Sequence, residues 1–194
     1  RCWSVGWGWE RAALQEKSAV NEQAGTMMNH SGKALIVKDA GERVDLAGLG
    51  IGWKIEGAEA DDRFSVVHHP LAPRALAAPL HRHTREDEYS YVLTGTLGAL
   101  LGDDVVTAEP GTWVFKPRNQ WHTFWNAGDT YCEIIEIISP AGFENFFREL
   151  AQVYATGEPD LAQFADLCSR YDLEMDPESV PGLCERFGVE HPLA

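Results

Sequence analysis

No apolar run in the 194 residues approaches the roughly 18–20 that a bilayer-crossing helix needs, so no membrane helix is expected. Positive charge is scarce as well. Lys and Arg total 16 against 30 Asp and Glu, a formal net charge of −14. Such a chain repels phosphate backbones and anionic lipid surfaces, which argues against nucleic acid or a membrane as partner. Cysteine is sparse: Cys2, Cys132, Cys168 and Cys184 form no C-x-x-C pair and lie far apart, in a chain too large to depend on disulfides. Reduced thiols in a cytoplasmic protein are the expectation. The opening RCWSVGWGWERAALQEK lacks the basic n-region and unbroken apolar core of a signal peptide. Internal repeats and low-complexity tracts are also missing.

What is present is an ordinary globular composition, 44% hydrophobic and 24% charged, long enough for one domain and an appendage. The pair Met27-Met28 precedes NHSGKALIV, where a domain pattern first appears. We therefore expect a lead over residues 1–32, with Trp3, Trp7 and Trp9 either unstructured or packed on a partner. From there to residue 141 the chain reads as short strands: ALIV (34–37), GWKIEG (52–57), FSVVHH (64–69), YSYVL (89–93), GALL (98–101), VVTA (105–108), TWVFK (112–116), HTFW (122–125) and YCEIIEII (131–138). Turn residues such as Gly102-Asp103-Asp104 and Pro110-Gly111 separate them. So many short strands predict a mainly β, antiparallel sandwich or barrel.

The pattern changes after Ser139-Pro140-Ala141-Gly142. Phe143, Phe146, Phe147, Leu150 and Tyr154 fall at i, i+3, i+4, i+7 and i+11, one face of a helix. A second helix is expected from an Asp160 cap, with Leu161, Phe164, Ala165, Cys168 and Tyr171 inward. A third starts at Asp176-Pro177 and ends before Gly188. Residues 142–194 thus read as a C-terminal α-helical extension. Its phenylalanines are expected to pack, and the first helix is placed to lid a barrel mouth.

The chemistry is concentrated in PLHRHTREDEYSYVLTG, residues 79–95. Alternate residues of a strand share a face, so His81 and His83 project together. Glu88 follows a polar excursion that can return its carboxylate toward them, and His122 supplies a third imidazole from a later strand. Three imidazoles and one carboxylate suit a divalent first-row metal. His68 and His69 point to opposite faces of one strand and are read as structural. Glu86 and Asp87 are read as a solvated loop, with a base behind the metal ligands as the alternative, and Cys132 as core. Trp113, Phe115 and Phe124 are candidate substrate contacts, on the premise that Trp113 and Phe115 face inward with Phe124.

These spacings closely resemble the two motifs of the cupin superfamily. The first, G-x5-H-x-H-x(3,4)-E-x6-G, appears as Ala75, His81, His83, Glu88 and Gly95. The second, G-x5-P-x-G-x2-H-x3-N, appears as Gly111, Pro117, Asn119, His122 and Asn126. Ala75 and Asn119 replace glycines, and asparagine tolerates left-handed backbone better than most residues. All four ligand positions are intact.

The resemblance implies a double-stranded β-helix, a jelly-roll barrel over residues 33–141, with a metal held inside by His81, His83, Glu88 and His122. Fe, Ni, Mn, Cu and Zn all fit that ligand set. Cupins host many functions. The leading expectation is an oxygenase similar to quercetinase-like cupins, acting on an enol- or catechol-like small molecule, with Glu88 as both ligand and catalytic base. The alternatives are a Lewis-acid isomerase, lyase or cyclase, and a non-catalytic binding module. A homodimer is expected, since small cupins often pair through edge strands.

Overall fold

The computed structural model describes residues 35–46, 48–155 and 161–191. The expected lead, with its tryptophans and Cys2, and the Asp160 cap lie outside these residues. The chain divides into two units, Arg1–Ala40 and Gly41–Ala194. In the first, the described residues form a turn in which the Ala40 amide donates to the Val37 carbonyl at 3.0 Å. The strand expected over 34–37 is not found at Leu35–Val37.

The second unit is built on two antiparallel sheets. One holds six strands in the order β1 (Arg43–Leu46), β2 (Leu49–Ile55), β3 (Ser65–Leu71), β10 (Cys132–Ser139), β5 (Asp87–Thr94) and β8 (Trp113–Lys116). The other runs β11 (Leu173–Asp176), β4 (Leu80–His83), β9 (His122–Asn126), β6 (Leu97–Leu101) and β7 (Asp104–Ala108). The jelly-roll expectation holds. β1 replaces the strand expected at 34–37, because a tight turn at Gly48 folds Arg43–Leu46 straight back along β2. Asp45 fixes that turn by accepting from the Gly48 amide at 3.0 Å.

Period-two burial shows which faces meet. In β10, Cys132, Ile134, Glu136 and Ile138 are buried while their neighbours are half-buried. In β5 the buried set is Glu88, Ser90 and Val92. Val67, Leu71, Val92 and Ile134 from the first sheet join Leu97, Ala99 and Phe124 from the second in one core. The motif positions shape the loops. Asn119 takes φ 66 where the motif has glycine, the left-handed backbone that asparagine tolerates. Gly95 has φ 76, and a Cβ there would lie 2.7 Å from the Cys132 Cα, so no larger residue fits. Asn126 ties its loop together by donating to the carbonyls of Leu71, Ala72 and Thr130.

The C-terminal extension contains α1 (Glu144–Ala155), α2 (Leu161–Arg170) and α3 (Val180–Phe187), and also β11, which the sequence reading missed. β11 pairs along β4, with Leu173 opposite His83 and Met175 opposite His81. The extension is therefore partly a sheet edge. α1 buries Phe146, and Phe143 is buried just ahead of it, whereas Tyr154 is 38% exposed. On α2, Cys168 is buried and Phe164 packs against the core as expected, as does Tyr171 just past its end; Leu167 joins them and Ala165 is exposed. Buried Glu144 anchors the start of α1, accepting from the Gly57 amide at 3.0 Å and the Gly142 amide at 2.6 Å. α3 ends at Gly188 in the left-handed conformation, as its sequence predicts. It packs Val180 and Leu183 against Leu76, Leu100 and Trp125.

Candidate metal centre

His81 and His83 lie on β4 with one residue between them, so both side chains enter the space between the sheets. His122 opens β9 directly opposite His81. Glu88 comes across from β5 in the other sheet. The two sheets thus each contribute to one cluster. Ligand atoms of His81, His83, Glu88 and His122 all lie within 4.8 Å of one another, and all four residues are buried. The sequence named this set, and the fold brings it together.

The ring nitrogens show that the cluster suits a metal. His81 Nδ1 donates to the Pro79 carbonyl at 2.8 Å, and His122 Nδ1 to the Gln120 carbonyl at 2.9 Å. A carbonyl can only accept, so each Nδ1 carries the proton and each Nε2 presents a lone pair. His122 Nε2 and both ring nitrogens of His83 are buried without a hydrogen bond. Orphaned buried acceptors are costly, and a cation satisfies several at once. Two of the imidazoles, His81 and His83, are also kept neutral. Burial, reinforced by His122 and His83, holds His81 well below the usual histidine range. Burial lowers His83 to about 4. The cluster is able to hold a metal ion.

Lys116 is the feature that sequence reading missed. On β8 the inward residues are Val114 and Lys116, which leaves Trp113 55% and Phe115 49% exposed. The expected inward parity of these two aromatics is therefore reversed, and they do not face the centre. Lys116 lies opposite Glu88, and Ser90 opposite Glu136, so four polar residues share the inner face. The Lys116 ammonium sits 3.0 Å from Glu88 Oε2 and 2.8 Å from Glu136 Oε2, which also accepts from Ser90 at 2.7 Å. Burial opposes charge on Lys116, but the two carboxylates outweigh it and raise its pKa. Burial likewise pushes Glu88 up; Lys116, His83 and His122 reverse this and hold it ionised, well below the usual range.

Phe124 does line the cavity at the centre, as expected. Its ring carries Lys116 Nζ at 4.3 Å from the centroid. His69 faces the same cavity, held by its Nδ1 to the Gly50 carbonyl at 2.9 Å, while His68 turns away to Glu133 at 3.1 Å. Glu86 is no solvated loop residue: it is 2% exposed, with Oε2 3.7 Å from His83 Nδ1, and burial raises it to about 7. Asp87 instead forms a two-pronged pair with Arg118, at 3.0 and 2.8 Å. The cavity measures about 40 Å³. Phe143, Phe146 and Phe147 roof it, with Phe143 edge-on to His83 at 4.3 Å. The roof is the start of α1, so that helix both packs and lids.

Two facing antiparallel sheets with a buried three-histidine, one-glutamate cluster define a β-fold metal-site protein of the kind the motifs resemble. A family model described as "Cupin domain" matches residues 67–138. The match places a cupin domain at these residues, as the two motifs imply. Among solved structures, KdgF from Halomonas sp. is similar at 17% identity and a TM-score of 0.50, covering 56% of this chain and 94% of that one. A predicted oxalate decarboxylase from Thermotoga maritima is similar at 19% identity and a TM-score of 0.50, covering 55% and 98%. At these identities the likeness is one of fold. No curated protein matches the sequence. Among the described residues, no helix is long and apolar enough to cross a membrane.

Proposed function

We propose that the protein is a metal-dependent enzyme, an oxygenase acting on a small enol- or catechol-like molecule. One observation carries this reading: the buried His81, His83, Glu88 and His122 cluster lies at an apolar, aromatic-roofed cavity, with the ring nitrogens of His83 and His122 Nε2 unpartnered. A metal ion bound there supplies a Lewis acid that acidifies a substrate hydroxyl and, if redox-active, a site for dioxygen.

The chain's own residues do the rest. Glu88 and Glu136 both border the cavity, and each can receive the proton of a substrate hydroxyl. Lys116 bridges the two, so when one takes a proton the other keeps its counter-charge without water. Phe124, Phe143 and Phe146 exclude bulk solvent and favour a flat, apolar head. The same Lys116–Glu136 pair also serves a second reading, a Lewis-acid isomerase, lyase or cyclase, because proton movement alone suffices there.

The test is metal content after chelation and reconstitution, followed by oxygen uptake with catechols and enediols. About one metal per chain, with uptake under iron, nickel, copper or manganese, supports the oxygenase. Turnover without uptake, equal under zinc, selects the Lewis-acid reading. Metal-dependent binding without any turnover would reduce the protein to a binding module, and failure to bind metal would overturn all three.

A further inference from the structure

A second cavity, of about 370 Å³, lies between β1, α1, α2 and β11. It adjoins the small one at the centre, since Leu49, Ala78, Phe146, Phe147 and Met175 line both. By these shared walls we treat the two as compartments of one space. The outer walls come largely from Leu150, Tyr154, Phe164, Met175 and His191, all beyond the residues that the cupin family model matches. This compartment is thus a feature of this chain's own extension.

The lining chemistry is one-sided. Among the described residues, Asp45, His191 and the Tyr154 hydroxyl are the polar groups of the cleft, and no Lys or Arg lines either compartment. With a net charge of −14, no side chain lining the outer cleft offers a counter-charge to a phosphate or carboxylate. In the inner compartment, by contrast, Glu136 Oε1 is buried without a hydrogen-bond partner, while its Oε2 is held by Lys116 and Ser90. A buried acceptor of this kind is satisfied by a donor that arrives with the ligand.

We propose that the outer cleft is the tail subsite of the centre, and that the substrate is an uncharged, two-part molecule. Its hydroxyl-bearing head enters the inner compartment, where one hydroxyl donates to Glu136 Oε1. Its apolar body, alkyl or aryl, lies in the cleft against Leu46, Leu150 and Phe164. The assignment of the head rests on the function proposed above; the assignment of the tail rests on the cleft alone.

The experiment is calorimetric binding of catechol, 4-methylcatechol, 4-butylcatechol and 4-hexylcatechol to zinc-loaded protein, where no turnover is needed. Affinity is expected to rise about fourfold per added methylene. Leu150→Trp and Leu46→Trp, each placing bulk in the cleft, should cancel that rise while leaving zinc content and catechol affinity unchanged. A flat series, or a rise that survives both substitutions, overturns the tail subsite. If no catechol binds, the head assignment fails, and the tail is judged on metal-free protein with n-alkanols from butanol to octanol. Stabilisation that grows with chain length and is lost in Leu150→Trp upholds the cleft; its absence overturns it.

Discussion

The ammonium of Lys116 lies 3.0 Å from the Glu88 carboxylate, and the lysine side chain is 1% exposed. A fully buried lysine is tolerated only when paired, and here Glu88 and Glu136 share the task. The pairing sets the electrostatics of the centre: Glu88 enters it as a carboxylate that is already ionised and already held in place.

Removing Lys116 leaves two facing buried carboxylates with no cation. Lys116→Met is therefore expected to lower stability by about 3–5 kcal/mol, the usual cost of breaking a buried pair from one side. Adding Glu136→Gln should recover part of the loss, because one of the orphaned charges goes with it. Urea unfolding of the two single variants and the double variant reads this directly. An unchanged midpoint for Lys116→Met would mean that the ion pair is not buried in solution.

The ligand set makes a sharper claim. His81→Ala and His122→Ala should each abolish stoichiometric metal, measured by elemental analysis, whereas His68→Ala should retain it. His68 is the matched control because it lies in the same sheet system but turns toward Glu133. Full occupancy in both ligand variants would remove these histidines from the site.

Glu86 tests how much of the centre lies behind its ligands. Its carboxylate is 3.7 Å from His83 Nδ1, longer than a hydrogen bond yet aimed at the nitrogen that has no other partner. If it orients His83 as carboxylates behind metal-bound histidines do, Glu86→Ala should weaken metal binding about 10- to 100-fold while leaving one site per chain. Competition with a chelating dye measures the change. Affinity equal to wild type would assign Glu86 a purely structural place.

Much of this site was legible because ligand spacing is local. H-x-H needs only strand alternation to converge, and the later His122 sits in a motif whose turn residues announce themselves through Gly111, Pro117 and Asn119. The second layer was not legible, for a reason that β8 makes plain. In TWVFK the large aromatics look like the buried face and the lysine like the exposed end. The fold does the reverse, because Lys116 has two carboxylates waiting on β5 and β10. Parity could be read only from Val114, a single residue. β11 was missed for a related reason: LEMD is four residues between two helices, and its strand character comes from β4 rather than from its own sequence. Glu86 resembled a loop residue because nothing in the polar run Thr84-Arg85-Glu86-Asp87 signals burial.

The cysteines give a pH-dependent expectation. Burial pushes the Cys132 and Cys168 thiols up to about 11 from an ordinary value near 9. Their folded pKa lies above the unfolded one, so their contribution to stability is complete below about pH 9 and is lost as pH rises toward 11. At pH 8 both should resist a thiol reagent. In a Cys2→Ser background, mass spectrometry should find rapid modification at half-buried Cys184 alone. Rapid labelling of Cys132 would contradict its 0% exposure.

The outward aromatics of β8 carry the last prediction. β8 ends the six-stranded sheet, so one side of its backbone has no strand beside it among the described residues. Next to that edge, Phe115 stacks on Tyr89 at 4.9 Å and Trp113 lies against Tyr91 at 4.7 Å. An open edge flanked by an apolar stripe is what a second copy of the chain would cover, by pairing β8 with β8 across a twofold axis. On that geometry the protein is expected to sediment as a dimer, and Trp113→Ser with Phe115→Ser to shift it to monomer while metal content stays the same. The pairing is isologous, so each substitution acts twice per interface and the shift should exceed tenfold in dissociation constant. A wild-type monomer at high concentration, or a dimer indifferent to both changes, would place the interface elsewhere and leave the stripe an ordinary solvent face.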